Sequence, residues 1–184
     1  FPPYAGSATK APFDILGDTL RGTRGVIMDM FRQPEKVLAA CERLVPLAVD
    51  WPLRRPGPGP ATPVCFIPLH KGADGFMNDE QFRTFYWPSL KKVIEGLVAE
   101  GFVPYLFAEG AYNSRLETIA EVPKGRTVWQ FDRTDMHRAK KILGGIACIQ
   151  GNVPNTLLQL GTVEEVRAYS KDLIQAVAPG GGFI

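Results

Sequence analysis

Histidine and cysteine are scarce: two of the first and three of the second in 184 residues. Their placement removes several chemistries. No C-x-x-C or H-E-x-x-H is present, and no His/Cys cluster is complete enough to hold zinc by itself. G-x-S-x-G is missing, and with it the nucleophile elbow of hydrolases. Neither G-x-G-x-x-G nor G-x-x-x-x-G-K-[ST] follows a predicted strand, so the usual cradle for nucleotide phosphates is lacking. A formal charge of +2 is too small to argue for nucleic acid or a membrane surface as partner. The apolar runs fall short of a membrane span, and no signal peptide is visible. Cys41, Cys65 and Cys148 lie far apart and are odd in number, which suits reduced thiols in a cytoplasmic protein.

What is present is enough apolar content, 45%, for the core of one domain. Residues 1–12 are rich in proline, glycine and small side chains and read as irregular. Phe13 to Arg24 reads as a polar loop entering a helix, whose apolar face is Val26, Ile27, Met30 and Phe31. Pro34 suits the first turn of the next helix, facing inward with Val37, Leu38, Cys41, Leu44 and Val45. Five prolines between Asp50 and Pro63 predict a loop. Strands are predicted at 64–69, 102–107, 127–131, 146–149 and from 182. Helices stand between them, with capping boxes at Asn78/Gln81, Ser114/Glu117 and Thr162/Glu165 and a kink at Pro88 near Trp87. The last helix shows Val166, Tyr169, Leu173 and Val177 on one face, and the strand after it is cut off at Ile184. A buried parallel strand has partners on both sides, so the chain reads as a piece of a larger enzyme. Alternating strands and helices imply a parallel sheet with helix crossovers, either an open doubly wound sheet or a (β/α)8 barrel.

In such proteins the working residues stand just beyond the carboxyl ends of the strands. Those places hold His70 and Lys71, then Glu109, then Asp132, then Gln150 and Asn152. They are expected to ring one cavity. Glu109 follows an apolar strand, Val103 to Ala108, and a carboxylate there needs a partner, a cation or a raised pKa. It is the foremost catalytic candidate, with His70 and Asp132 beside it. The structural alternatives are a satisfied histidine at position 70 and a cap or ion pair with Arg133 or Arg138 for Asp132. Arg115 and Glu117 read as first-turn helix charges, Lys91, Lys92 and Glu95 as a solvated face, and His137 as exposed.

Four stretches resemble the uroporphyrinogen decarboxylase family, which also holds corrinoid-dependent methyltransferases. They are Pro12 to Gly22, Phe82-x-x-Phe85-Tyr86-Trp87-Pro88-x-Leu90-Lys91-Lys92, Gly151-Asn152-Val153-Pro154, and Gly161 to Val166 through to Gly182-Phe183-Ile184. The resemblance implies an α/β fold in which residues 1–184 form one partial domain. That domain would be the later part of a (β/α)8 TIM barrel, strands four to eight, without the early strands and the C-terminal end. The departures are informative. The decarboxylases' arginine-rich N-terminal motif is not in the chain. Their Phe-Asp-Ser-Trp is here Pro68-Leu69-His70-Lys71-Gly72, and their Gly-Asn-Leu-Asp-Pro-like loop lacks its aspartate. Thiol methyltransferases of the family bind zinc through His-x-Cys-Gly. Phe107-Ala108-Glu109-Gly110 stands there, with Phe107 for the histidine and Glu109 for the cysteine.

The resemblance therefore implies an enzyme closer to the methyltransferase-like branch. It would move a methyl group between a corrinoid on a partner protein and a small-molecule acceptor. Glu109 and His70 would be ligands for a zinc ion, or Glu109 a metal-free acid or base. Arg21, Lys71, Gln150 and Asn152 are the expected substrate contacts. Two other readings stand beside this one: cofactor-free uroporphyrinogen decarboxylation in porphyrin biosynthesis, and a non-catalytic barrel that binds a corrinoid protein or tetrapyrrole.

Overall fold

A computed structural model of the chain describes residues 6–54 and 63–184. Five parallel strands form one sheet: β1 (Gly6–Ala8), β2 (Val64–Leu69), β3 (Val103–Ala108), β4 (Val128–Phe131) and β5 (Cys148–Gln150). Their spatial order is their chain order. A doubly wound sheet reverses direction at a switch point, and this one does not. Alternation along the strands decides the rest. Cys65, Ile67, Leu69, Leu106, Ala108, Trp129, Phe131 and Ile149 are buried on one face. They pack with Phe82, Leu90, Val93, Ile94 and Leu97 of the helical layer, and each such side chain contributes about 1.5–3 kcal/mol. The other face carries Ala8, Phe66, Tyr105, Val128 and Cys148 in one register row and Pro68, Phe107, Gln130 and Gln150 in the next. A sheet wound in one direction, with helices on one side and an inner face opposite, is part of a (β/α)8 barrel.

Several sequence expectations need correction. β1 lies in the stretch read as irregular. Its residues are small and no apolar run announces it. Hydrogen bonds hold it: the ladder to β2, and Ser7 Oγ donating to Pro52 O at 3.0 Å. Phe13 to Arg24 is not a loop. It contains α1 (Pro12–Ile15), a π-helical turn (Leu16–Leu20) and the start of α2 (Thr23–Arg32). Val26 and Met30 of α2 are buried as expected, but Phe31 is exposed. α3 (Pro34–Arg54) buries Val37 and Cys41 and leaves Leu38 outside. It also runs four residues past Asp50, through Pro52. Pro52 has no N–H for the carbonyl four residues back, Ala48 O. Thr9 Oγ1 donates to that carbonyl at 2.8 Å, which lets the helix continue. The rest of the proline-rich segment, 55–62, lies outside the described residues.

Asn78 and Gln81 form their capping box ahead of α4 (Asp79–Gln81). The disturbance expected from Pro88 takes the form of a π-helical turn (Phe82–Tyr86) before α5 (Trp87–Ala99). The Ser114/Glu117 box is absent. Asn113–Arg115 is a 3-10 turn leading into α6 (Leu116–Ile119), and Ser114 Oγ donates to Asp74 instead. Arg115 is no surface charge. It is 1% exposed and lies over the Phe82 ring. It donates to Gly72 O, Met77 O and Asp79, joining the loop after β2 to the segment after β3.

α7 (Met136–Leu143) is capped by Asp135. α8 (Asn155–Leu160) precedes α9 (Val163–Val177), whose Thr162/Glu165 capping box is present. Leu173 and Val177 of α9 are buried, while Tyr169 stands out toward solvent. The strand expected from Gly182 is a single bridge, Phe183 to Ile149. All three cysteines are free. Burial pushes the Cys41 and Cys65 thiols up to about 12. Among the described residues no helix is long and apolar enough to cross a membrane.

Candidate functional site

The site is built where α1 and the following π-helical turn meet the carboxyl end of β2. Pro12 opens α1, and Asp14 is carried inward until no part of it is exposed. Its carboxylate accepts from His70 N at 3.1 Å, Lys71 N at 3.0 Å and Tyr86 Oη at 2.6 Å. Burial raises its pKa, and those donors oppose the rise without cancelling it. Asp14 thus fixes the backbone from which His70 and Lys71 project.

The π-helical turn advances the chain to Asp18, one turn on. Lys71 is buried, and its stem runs past Gly17, where a Cβ would lie 2.5 Å from Lys71 Cε. Only glycine leaves that path open. The Lys71 ammonium is paired with Asp18, which also accepts from Lys10 Nζ at 2.9 Å and meets His70 Nδ1 at 2.8 Å. Burial works to raise the Asp18 pKa, but the hydrogen bonds from Lys71, Lys10 and His70 outweigh it and hold the carboxyl well below the usual range. On the far side of the ring, His70 Nε2 stands 3.8 Å from Glu109 Oε2, and the Glu109 side chain is 58% exposed. The result is a line of groups, Asp18–His70–Glu109, at the mouth between β2 and β3.

One ligand atom from each of Asp14, Asp18 and His70 lies within 4.8 Å of the others. Two carboxylates and an imidazole suit zinc by ligand type. The hydrogen bonds show how each would serve. The oxygens of Asp14 and Asp18 already accept from backbone N–H groups, a tyrosine and two lysines. His70 Nε2 and Glu109 Oε2 have no hydrogen bond among the described residues and face each other at a spacing close to that of two ligands on one ion. A carboxylate behind a metal-binding histidine is a recurrent arrangement, and Asp18 takes that place on Nδ1.

The other sequence candidates do not join this cluster. Asp132 is at the same end of the sheet, but its Oδ2 accepts from Gly110 N at 3.1 Å, with Arg133 Nε at 3.7 Å. Asn152 Nδ2 donates to Thr134 O at 2.7 Å, and its oxygens accept from Tyr169 Oη. Both line a separate cavity of about 650 Å³ together with Thr134, Asp135 and Tyr169. The expected single ring is therefore two groups. Gln150 lies on the inner face of the sheet, within 2.5 Å of Tyr105 Oη. Arg21 grips Asp29 through Nε at 2.6 Å and Nη2 at 3.3 Å. Sequence reasoning missed Asp14, Asp18, Tyr105 and Gln130. The four-residue spacing of Asp14 and Asp18, both inside a stretch that resembles the family, was the available signal for the first two.

Comparison with known proteins bears on this geometry. Residues 4–184 match the sequence model of a family described as Uroporphyrinogen decarboxylase (URO-D). No curated protein matches the chain. Among solved structures it is similar to a methyltransferase from Methanosarcina mazei, with 18% identity and a TM-score of 0.75, over 96% of this chain and 50% of that one. At that identity the likeness shows the fold, and the chain spans about half the length of that methyltransferase.

Proposed function

Because the chain belongs to the uroporphyrinogen decarboxylase family, we propose that it is a methyl-transferring barrel enzyme of that family. It moves a methyl group between a corrinoid carried by a partner protein and a small acceptor held at the mouth. The observation that carries this reading is the Asp18–His70–Glu109 line. An ionised Asp18 can only accept, so the hydrogen of its bond with His70 belongs to Nδ1, and in that tautomer of the neutral ring Nε2 is the acceptor atom toward the mouth. An acceptor thiol or hydroxyl placed there gives its proton to Nε2, and the carboxylates of Asp18 and Glu109 stabilise the imidazolium on both sides. Lys71 and Lys10 hold Asp18 ionised throughout. A zinc ion bound between His70 Nε2 and Glu109 would lower the pKa of the acceptor bound to it. In that case Asp18 and Asp14 keep the histidine oriented and the loop closed.

The test is Glu109→Gln in the full-length enzyme, with demethylation of methylcobalamin by small thiols as the assay. The amide is nearly isosteric, so circular dichroism should be unchanged. Turnover should fall on the order of 10²-fold. Near-normal turnover with unchanged metal content would remove Glu109 from the mechanism. Decarboxylation of uroporphyrinogen by the wild-type enzyme, without methyl transfer, would favour the decarboxylase reading.

A further inference from the structure

The inner face of the sheet is apolar apart from one cluster. Phe66, Val103, Phe107 and Val128 line it, and Phe66 packs on the Tyr105 ring at 5.9 Å between centroids. Into this face project Tyr105, 3% exposed, and the half-buried Gln130 and Gln150. Tyr105 Oη lies 2.8 Å from the Gln130 side-chain amide and 2.5 Å from that of Gln150. A phenol has one hydrogen to donate, so it serves one amide carbonyl, and the other amide turns its NH2 to the phenol oxygen. Each carboxamide carries donors and an acceptor beyond the one atom it turns to Tyr105. Gln130 pairs in register with Phe107, and Glu109 stands two residues beyond Phe107, just past the end of β3. That places the cluster about 7 Å below the mouth, the reach of a small molecule.

We infer that Tyr105, Gln130 and Gln150 form a recognition subsite for a neutral hydrogen-bonding group of the acceptor: an amide, a carbonyl or a hydroxyl. The inference takes the methyl-transfer reading as its frame and names the acceptor's class. Ligand sites are mostly apolar with a few placed polar groups, and this face has that composition. The charge of the described strands agrees with a neutral ligand group. Among the described residues, no lysine or arginine belongs to the inner face of the five strands. Lys10 and Lys71, at the mouth, are both committed to Asp18. At the depth of the cluster the five strands offer a carboxylate no lysine or arginine, whereas amides and hydroxyls find both donors and acceptors there.

The experiment uses two thiols of similar reach, N-acetylcysteamine (neutral amide) and 3-mercaptopropionate (carboxylate), titrated into the full-length enzyme by ligand-observed NMR. N-acetylcysteamine should bind about tenfold or more tightly than 3-mercaptopropionate. Gln150→Leu, and the milder Tyr105→Phe, should each weaken the neutral thiol several-fold and leave the carboxylate thiol unchanged. Equal or tighter binding of the carboxylate thiol would overturn the subsite. So would equal losses for both probes, unchanged binding in the variants, or no binding of either thiol. Methyl transfer from methylcobalamin to the same thiols is recorded separately. Absent turnover with the amide preference intact retires the methyl-transfer reading and leaves the subsite standing. Turnover that favours the carboxylate thiol does the reverse.

Discussion

Asp18 and Asp14 are four residues apart and have opposite electrostatics. Asp18 has its pKa lowered in the fold, so its ionised form stabilises the protein at pH values above the ordinary carboxylate range, about 3.9 when unfolded. That contribution is lost as pH falls through the lowered value. Asp14 is raised, and its contribution runs the other way: present below the ordinary range and lost as pH rises through the folded value. Asp18→Asn in the full-length protein should therefore be less stable than wild type at pH 7, with the gap narrowing toward pH 3. Urea unfolding at the two pH values checks this, and a gap independent of pH would contradict it. At this scale the sequence was readable where a residue stands directly on a strand end, as His70, Lys71 and Glu109 do. It was not readable for Asp14 and Asp18. Their role depends on a contact with residues 56 and 52 positions away, and local composition made their segment look like a loop.

Among the elements, β2, β3 and β4 were legible because a buried parallel strand is a continuous apolar run. Two capping boxes were legible because their chemistry is local. β1 was hidden because three small residues carry no pattern, and so was the last turn of α3, because the donor that lets it run past Pro52 comes from Thr9. The loop after β5 shows how backbone geometry sets residue choice. Gly151 has φ +104°, and a Cβ there would lie 2.5 Å from Phe131 O, a backbone atom that cannot move aside cheaply. Gly151→Ala should destabilise the full-length protein by about 2 kcal/mol or more. Gly75→Ala, at a position where a Cβ meets nothing within 4 Å, should be close to neutral. Equal effects of the two substitutions in urea denaturation would refute the steric argument.

For the whole molecule, strand order and one-sided helical packing decide in favour of the barrel, a choice that periodicity left open between two parallel architectures. Among the described residues β1 is an edge of the sheet, and residues 1–184 carry an inner face bearing Phe66 and Phe107. Expressed by themselves they should self-associate and bind a hydrophobic dye. Sedimentation as a monomer that binds no dye would count against this. The mouth above that inner face is not equally free on all sides. Arg115 rivets the loop after β2 to the segment after β3, and it is sealed from solvent. Those two flanks move as one body, so loosening either requires uncovering a guanidinium with all its partners. Breathing of the mouth is thereby shifted to the flank at Lys10, whose ion pair with Asp18 is more open to solvent than the buried Lys71–Asp18 pair behind it.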